Sequence, residues 1–529
     1  MRESSNRERF GQVILRARSS AAALILALLF LGPVRAQVID DVSRLNPTRV
    51  HSVVQVDEVE DLQAALADAR ERGLKVSIAG KRHSMGGHAF YEDAVILDMT
   101  SFDKVLAVDP AARTITVQSG ATWREVIEEA NEHGLAVEVM QAYTGFTIGG
   151  SMSVNVHESD PRFGPLIETV KSFRLLLADG SIRNVSREEN PDLFGLVIGG
   201  YGLFGIILDA ELMLTANPVY EKSEQVIDYR EYGSYFQSTV RDPGVENLFA
   251  RLSIAPNGTL LRDVLVTTYR VAEIPPGPLA APGNVGLKRF FFGLSRKYRW
   301  GKRFRWYLQR EHSDRFEPRL ISRNNLMNAD LSYLDYSSER DTDILQEYFI
   351  PVDRLPEFLD GLRETVEKNR LNLLSATIRY VPRNDESVLS YSAAGASFGV
   401  VLYFNVGLGD EEETTRWSRV LIDLALEKGG TYYLPYRPYA TREQFLVAYP
   451  RAGTFYEKKL EYDPQEMFVN RFYADYVRDC CDPRVGVASD VNICPRRKET
   501  LHEPVPIVDP DPSSRPLRIP AAAFAGHGL

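Results

Sequence analysis

Residues 79–89 read Ala-Gly-Lys-Arg-His-Ser-Met-Gly-Gly-His-Ala. They follow directly on Val76-Ser77-Ile78-Ala79, a short apolar run of strand character. A tight turn of small residues brings backbone amides close to an anion with no side-chain bulk in the way. Lys81 and Arg82 add positive charge to that turn, and His83 puts a nucleophilic imidazole inside it. The turn is not GxGxxG opening a helix, so the nucleotide fingerprint of a doubly wound sheet is a weak reading here. Taken alone, a histidine in a glycine-rich loop is more often structural than chemical.

Two further loops of the same kind follow in order. Gly145–His157 reads GFTIGGSMSVNVH, and Gly199–Ile207 reads GGYGLFGII before running into Leu208–Leu214. Between 51 and 216 helical and strand patterns interleave. Asp61–Arg72 and Trp123–His133 repeat apolar residues at helical spacing, while Ala94–Leu97, Arg113–Ser119 and Phe173–Leu177 are strand-like. Such interleaving indicates an α/β or α+β domain. Each loop alone would serve as a turn; three in order within one such domain point to a cradle for a phosphate-bearing ligand.

These residues resemble the FAD-binding proteins of the vanillyl-alcohol-oxidase and p-cresol-methylhydroxylase (PCMH) type. RHSMGGHA is similar to the loop of cytokinin dehydrogenases and alditol oxidases in which the histidine before serine bonds covalently to the flavin. GFTIGGSMS and GLFGII are similar to the family's second and third flavin loops. The resemblance covers most of residues 50–215 and returns at Lys459, Asp463-Pro464, Phe468 and Asn470. It implies an α+β fold: a two-subdomain FAD-binding domain plus a substrate or cap domain built on an antiparallel sheet. It also implies FAD as cofactor. Gly80, Lys81, Arg82, His83 and Ser84 would form the pyrophosphate loop, with His83 the covalent attachment point. His88, Ala89, Thr147, Gly150, Ser153, His157, Ile206 through its backbone, and Asn470 would make the remaining flavin contacts. His88 stands where cytokinin dehydrogenases have glutamine, and Glu158 replaces a glycine after His157.

The expected substrate positions depart from the relatives. Ala142 stands where cytokinin dehydrogenases carry an acidic base, which counts against amine oxidation. Thr377 replaces the acid of the alditol oxidases' Glu-Ile-Arg, Tyr403 replaces a histidine, and Tyr436 replaces a lysine. The polar set is therefore Tyr403, Tyr436 and Arg379, with Asn405 and Arg437 nearby in sequence. A tyrosine in such a set relays a proton, bonds a substrate hydroxyl, or simply packs as an aromatic. The resemblance implies an FAD-dependent oxidoreductase acting on a CH–OH group of a sugar, polyol or lipid-linked sugar, with oxygen or another carrier reoxidising it. The alternatives are oxidation of an amine or another alcohol, or a redox-silent binding protein on the same fold.

Composition bounds the rest. The chain has 529 residues and a net charge of −10, which argues against a nucleic-acid partner. Three cysteines without a CxxC pair give neither a disulfide framework nor a zinc site, and no metal is expected. Basic residues precede the apolar run Ala21–Leu31, which is shorter than the about 20 residues that span a bilayer. With Val34-Arg35-Ala36 after it, this segment reads as a signal peptide, making the protein exported, periplasmic or secreted; the alternative reading is an uncleaved anchor. The expected division is 1–36 signal peptide, 37–216 FAD-binding domain, 217–450 substrate domain, 451–478 return segment and 479–529 extended tail. Export would let Cys494 bridge to Cys480 or Cys481. Pro218 opens the second region, and Ile274–Gly283 is a Pro/Gly-rich loop or linker. Leu287–Arg310 reverses the chain's charge: nine Lys or Arg and no acid, interleaved with Phe290, Phe291, Phe292, Trp300, Trp306 and Tyr307. Such a stretch suits an anionic membrane surface or a phosphorylated substrate; the plainer reading is a solvated helix with its aromatics in the core.

Overall fold

A computed structural model describes residues 37–478 apart from 257, 281–284, 313–317, 329–331 and 335. The expected signal peptide, the three cysteines and the tail lie outside the described residues. Near the N-terminus the strands Ser52–Gln55, Val95–Asp98 and Val76–Ala79 form a parallel sheet with Val95–Asp98 in the centre. Parallel neighbours need a crossover, and the helix Val59–Arg72 supplies it. A capping box of Glu58 and Asp61 starts this helix, and Gly73, at φ +65°, ends it. Leu62, Leu66 and Ala69 bury its inner stripe.

The open edge of Val76–Ala79 is covered by the C-terminal segment. The Val76 amide donates to the Met467 carbonyl (2.8 Å), and the Val469 amide donates to the Val76 carbonyl (3.0 Å). That segment is held in shape by Asp463, which accepts from the Met467 and Phe468 amides and pairs with Lys459, both side chains being buried. The strand that leads into the Gly80 turn is thus braced from both sides.

A second, antiparallel sheet runs in the order Ile182–Ser186, Val170–Leu176, Ile206–Ala216, Thr114–Gln118, Val105–Asp109, with Leu135–Val137 pairing further along Ile206–Ala216. The third is an eight-stranded antiparallel sheet: Leu320–Ser322, Val219–Asp228, Asp263–Ala272, Val245–Leu252, Asn372–Val381, Ser397–Gly407, Asp341–Pro351, Thr431–Tyr432. The helices Leu355–Lys368 and Glu411–Glu427 pack on Asp341–Pro351 and on each other. Gly361 permits that contact, because a Cβ there would lie 2.7 Å from Leu424. The fold is α+β, and the elements read from sequence fall within a few residues of their observed limits.

Arg323 ties the second and third sheets together. It is 1% exposed and pairs with the fully buried Asp160 at 2.6 Å. It also donates to the carbonyls of Val137 (3.1 Å) and Glu138 (2.6 Å) and to the Tyr220 hydroxyl (3.2 Å).

The basic aromatic stretch forms two helices, Val285–Lys297 and Arg299–Glu311. Asn372 donates to the Arg296 carbonyl (3.0 Å) and Arg305 to the Leu374 carbonyl (2.7 Å), seating the pair on the strand Asn372–Val381. Phe292 and Trp306 are buried, while Phe290 is 59% and Trp300 54% exposed. Only part of the aromatic set therefore enters the core. Among the described residues, no helix is long and apolar enough to cross a membrane.

Candidate active site

One large cavity, about 1080 Å³, is lined by all three glycine-rich loops and by one face of the eight-stranded sheet. The first loop is tied into its position by close packing. A Cβ at Gly80 would lie 2.3 Å from the Thr147 hydroxyl, so the first and second loops meet where no side chain fits. Arg82 adopts φ +54°, a left-handed conformation uncommon for a residue with a side chain. The amides of Lys81, Arg82, His83 and Ser84 donate to no protein acceptor among the described residues, whereas those of Met85 and Gly87 bond to Pro435 and Asp41. Four successive free amides beside two cations make an anion cradle.

His83 lines the cavity with its ring against Phe146 (4.5 Å) and Tyr143 (5.5 Å). Burial, helped by the charge of Lys81, pulls its imidazole down to about 4, so at neutral pH it is an uncharged nucleophile. His88 also lines the cavity, packed between Tyr201 (5.4 Å) and Phe472 (5.3 Å). Burial pulls it down to about 3, with Arg437 acting in the same direction and the Leu434 backbone against it. Ser84 and Ala89 complete this wall.

In the second loop Thr147 caps the helix Ile148–Val154, its hydroxyl accepting from the Gly150 amide (3.3 Å). The Ser153 hydroxyl donates to the Gly149 carbonyl (2.7 Å). Thr147, Gly150 and Ser153 all line the cavity, as does Ser119, whose buried hydroxyl has no partner. The third loop turns through left-handed residues: Gly199, Tyr201, Gly202 and Gly205 have φ of +80°, +55°, +72° and +153°. Gly202, Gly205 and Ile207 line the cavity; the Ile206 side chain packs in the N-terminal core with Leu176 and Leu208, which leaves the expected backbone contact untouched. Asn470 is also absent from the lining. It donates to the Tyr201 carbonyl (2.9 Å) and accepts from the Tyr473 amide (2.9 Å), bracing the third loop from behind.

The sheet contributes a second group of polar residues. Strand register sets Arg251 opposite Thr377, Thr377 opposite Val401, and Val401 opposite Glu347, so all four project from one face. Glu347 is 2% exposed at its side chain, and one oxygen lies 2.8 Å from Nε2 of the buried His157. With the carboxylate accepting, Nε2 donates and Nδ1 is left as the unpartnered ring nitrogen, buried and without a protein partner among the described residues. The Tyr436 hydroxyl donates to the other Glu347 oxygen at 3.5 Å. Burial and the neighbouring carboxylate push that hydroxyl well above its ordinary value, so it stays protonated. Gly399, opposite Arg379 in the sheet, leaves the room this cluster needs: a Cβ there would lie 2.9 Å from Glu347.

Tyr436, Arg379 and Tyr403 all line the cavity with His157, but Tyr403 belongs to a different group of contacts. Its ring packs on Phe292 (5.7 Å), and its hydroxyl bonds Asp343, which is paired with Arg296. Asn405 donates to Asp343 (2.9 Å), and Arg437 holds the first loop through Asn46 (2.8 Å), Met85 (3.2 Å) and Glu411 (2.5 Å). Glu347 is the site residue that sequence reasoning passed over. An acid amid Ile344, Leu345, Tyr348, Phe349 and Ile350 was the available signal.

Residues 50–186 match the family model described as an FAD binding domain. The chain is 23% identical over 455 residues to the decaprenylphosphoryl-beta-D-ribose oxidase of Mycolicibacterium smegmatis, covering 81% of this chain and 94% of that one. It is 22% identical over 453 residues to cytokinin dehydrogenase 3 of Arabidopsis thaliana (80% and 85%), and 24% identical over 452 residues to L-gulonolactone oxidase of Bos taurus (79% and 93%). The free amides of the first loop, the absence of room at Gly80 and the unpartnered Ser119 hydroxyl fit the cofactor that this domain binds. With that fit, residues 50–186 are an FAD-binding domain of the PCMH type, and the chain is an FAD-dependent oxidoreductase.

Proposed function

We propose that the protein is an exported FAD-dependent oxidase or dehydrogenase acting on a CH–OH group of a sugar, polyol or lipid-linked sugar. The observation that carries this reading is the buried Glu347–His157 pair, with its unpartnered Nδ1, lining the same cavity as the anion cradle. FAD, when bound, supplies the acceptor for the hydride that leaves the substrate carbon. The matching proton leaves the substrate hydroxyl for His157 Nδ1, and Glu347 stabilises the imidazolium by accepting from Nε2. Arg379 orients the hydroxyl by donating to its oxygen, while Tyr436, its proton given to Glu347, holds that carboxylate in place.

His83 is the proposed covalent anchor. With FAD bound, its neutral imidazole would hold the flavin through a C–N bond to the ring methyl, which replaces one methyl C–H and the imidazole N–H, the two protons and two electrons passing to dioxygen. Acid precipitation of the purified protein tests this. We expect yellow colour in the wild-type pellet and none in that of His83→Ala; flavin released from the wild type into the supernatant would remove the covalent claim. Bleaching of bound flavin under anaerobic polyols and sugars, with no response to amines, tests the substrate class.

The helices Val285–Lys297 and Arg299–Glu311 are proposed as a peripheral membrane contact. Leu287, Phe290, Phe304 and Tyr307 are 40–59% exposed. They stand among basic residues in a protein of net charge −10. Export itself is proposed from the basic-then-apolar N-terminus.

A further inference from the structure

The cavity carries more positive charge than the cofactor loop accounts for. Three carboxylates line it, and each is engaged: Asp343 with Arg296, Glu347 with His157, and Glu158 with the Ser159 hydroxyl (2.6 Å). Arg251 and Arg305 line it too, and neither has a carboxylate partner among the described residues. Arg251 makes no hydrogen bond there, and Arg305 spends one N–H on the Leu374 carbonyl, leaving most of its fork open. The two are close enough to repel: burial holds the Arg305 guanidinium down to about 10, with Tyr333 acting against it and the charge of Arg251 adding to it. Two like charges on facing elements, a sheet strand and a helix, are costly unless an anion joins them.

Their place relative to the reacting centre is fixed by register. Arg251 and Glu347 stand at the two ends of the row Arg251–Thr377–Val401–Glu347, three strand spacings apart, or roughly 14 Å. Arg305 comes to the Arg251 end from the helix Arg299–Glu311, and the exposed Lys288 reaches the cavity from the helix before it. The aromatic flank of Phe292, with Arg305 4.8 Å over its ring, closes this end.

We infer that Arg251 and Arg305 form a subsite for a phosphoryl group of the substrate, set across the cavity from the carbon that is oxidised. Two guanidinium forks supply convergent donors that match a tetrahedral oxyanion; one carboxylate would satisfy only one of them. This rests on the proposed alcohol oxidation and narrows it to phosphorylated sugars or polyols, free or lipid-linked.

The test is calorimetric binding of octyl phosphate, inorganic phosphate and octanol to the FAD-loaded full chain, with Arg251→Met, Arg305→Met and Arg251→Lys beside it. Expected is octyl phosphate bound at least tenfold more tightly than octanol, with that preference lost in both Met variants and partly kept in Arg251→Lys. Equal response to inorganic phosphate would support the subsite with a free phosphate ester as its ligand; preference for octyl phosphate would support a lipid-linked one. Octyl phosphate bound no better than octanol, or equally by wild type and Arg251→Met of unchanged flavin spectrum and melting temperature, would overturn the subsite. Flavin bleaching is read separately. Phosphate binding without any alcohol oxidation would overturn the proposed reaction and leave the anion subsite standing, whereas bleaching without phosphate binding would do the reverse.

Discussion

Glu347 and His157 show how a proton acceptor is made from a pair neither of whose members suffices. A carboxylate this buried is tolerated because the imidazole takes one oxygen and the Tyr436 hydroxyl the other. The imidazole in turn is fixed in the tautomer that leaves Nδ1 open. Glu347→Gln keeps the shape and removes the charge that stabilises the imidazolium. General-base assistance is worth roughly 10²–10⁴-fold, so kcat should fall by about 10²-fold or more, while flavin absorbance and melting temperature stay near wild type. A Glu347→Gln enzyme of normal turnover would remove the pair from the chemistry. Sequence reasoning reached His157 through its loop but looked for the acid at Ala142 and Thr377. Both of these line the cavity without supplying a charge. The acid had moved to a neighbouring strand, and only register across Asn372–Val381, Ser397–Gly407 and Asp341–Pro351 shows that Glu347 projects from the same face as Thr377.

At the scale of elements, the loops were legible because their chemistry is local: glycine at a forced close approach, small residues at a turn, a strand before it. Asn470 was not, because whether a residue faces the cavity or braces a loop from behind depends on packing between distant segments. The two basic helices were legible as a pattern and ambiguous as a structure. Phe292, Trp306, Arg296 and Arg305 turn inward, while Leu287, Phe290, Trp300, Phe304 and Tyr307 stay out. That division makes a prediction. Replacing the exposed Phe290, Trp300 and Phe304 by Ser should abolish co-sedimentation with vesicles containing phosphatidylglycerol, and wild-type binding should weaken steeply with salt. Flavin content should not change, since none of the three lines the cavity. Wild-type protein that ignores such vesicles at low salt would end the membrane reading.

The whole molecule places two neutral histidines, His83 and His88, on one cavity wall, and this couples the fold to pH. In the unfolded chain both titrate near 6.5; in the folded protein burial holds them at about 4 and about 3. As pH falls below about 6.5 the unfolded chain takes up protons that the folded one refuses, so stability is full above that value and declines beneath it. His83 stops contributing near its folded value of about 4, and His88 continues to about 3. In the interval each adds a slope of about 1.4 kcal/mol per pH unit. Thermal unfolding of the flavin-free full chain between pH 7.5 and 4.5 should therefore show a falling melting temperature. His88→Leu keeps an apolar filler between Tyr201 and Phe472 and should flatten the dependence by about one histidine's slope. A His88→Leu protein with the wild-type slope would mean that the imidazole takes its proton in the folded state as easily as in the unfolded one. The wall beside the first loop would then have to admit water or an anion at low pH. That outcome would undo the argument that burial keeps His83 neutral as well, because the two rings share that wall.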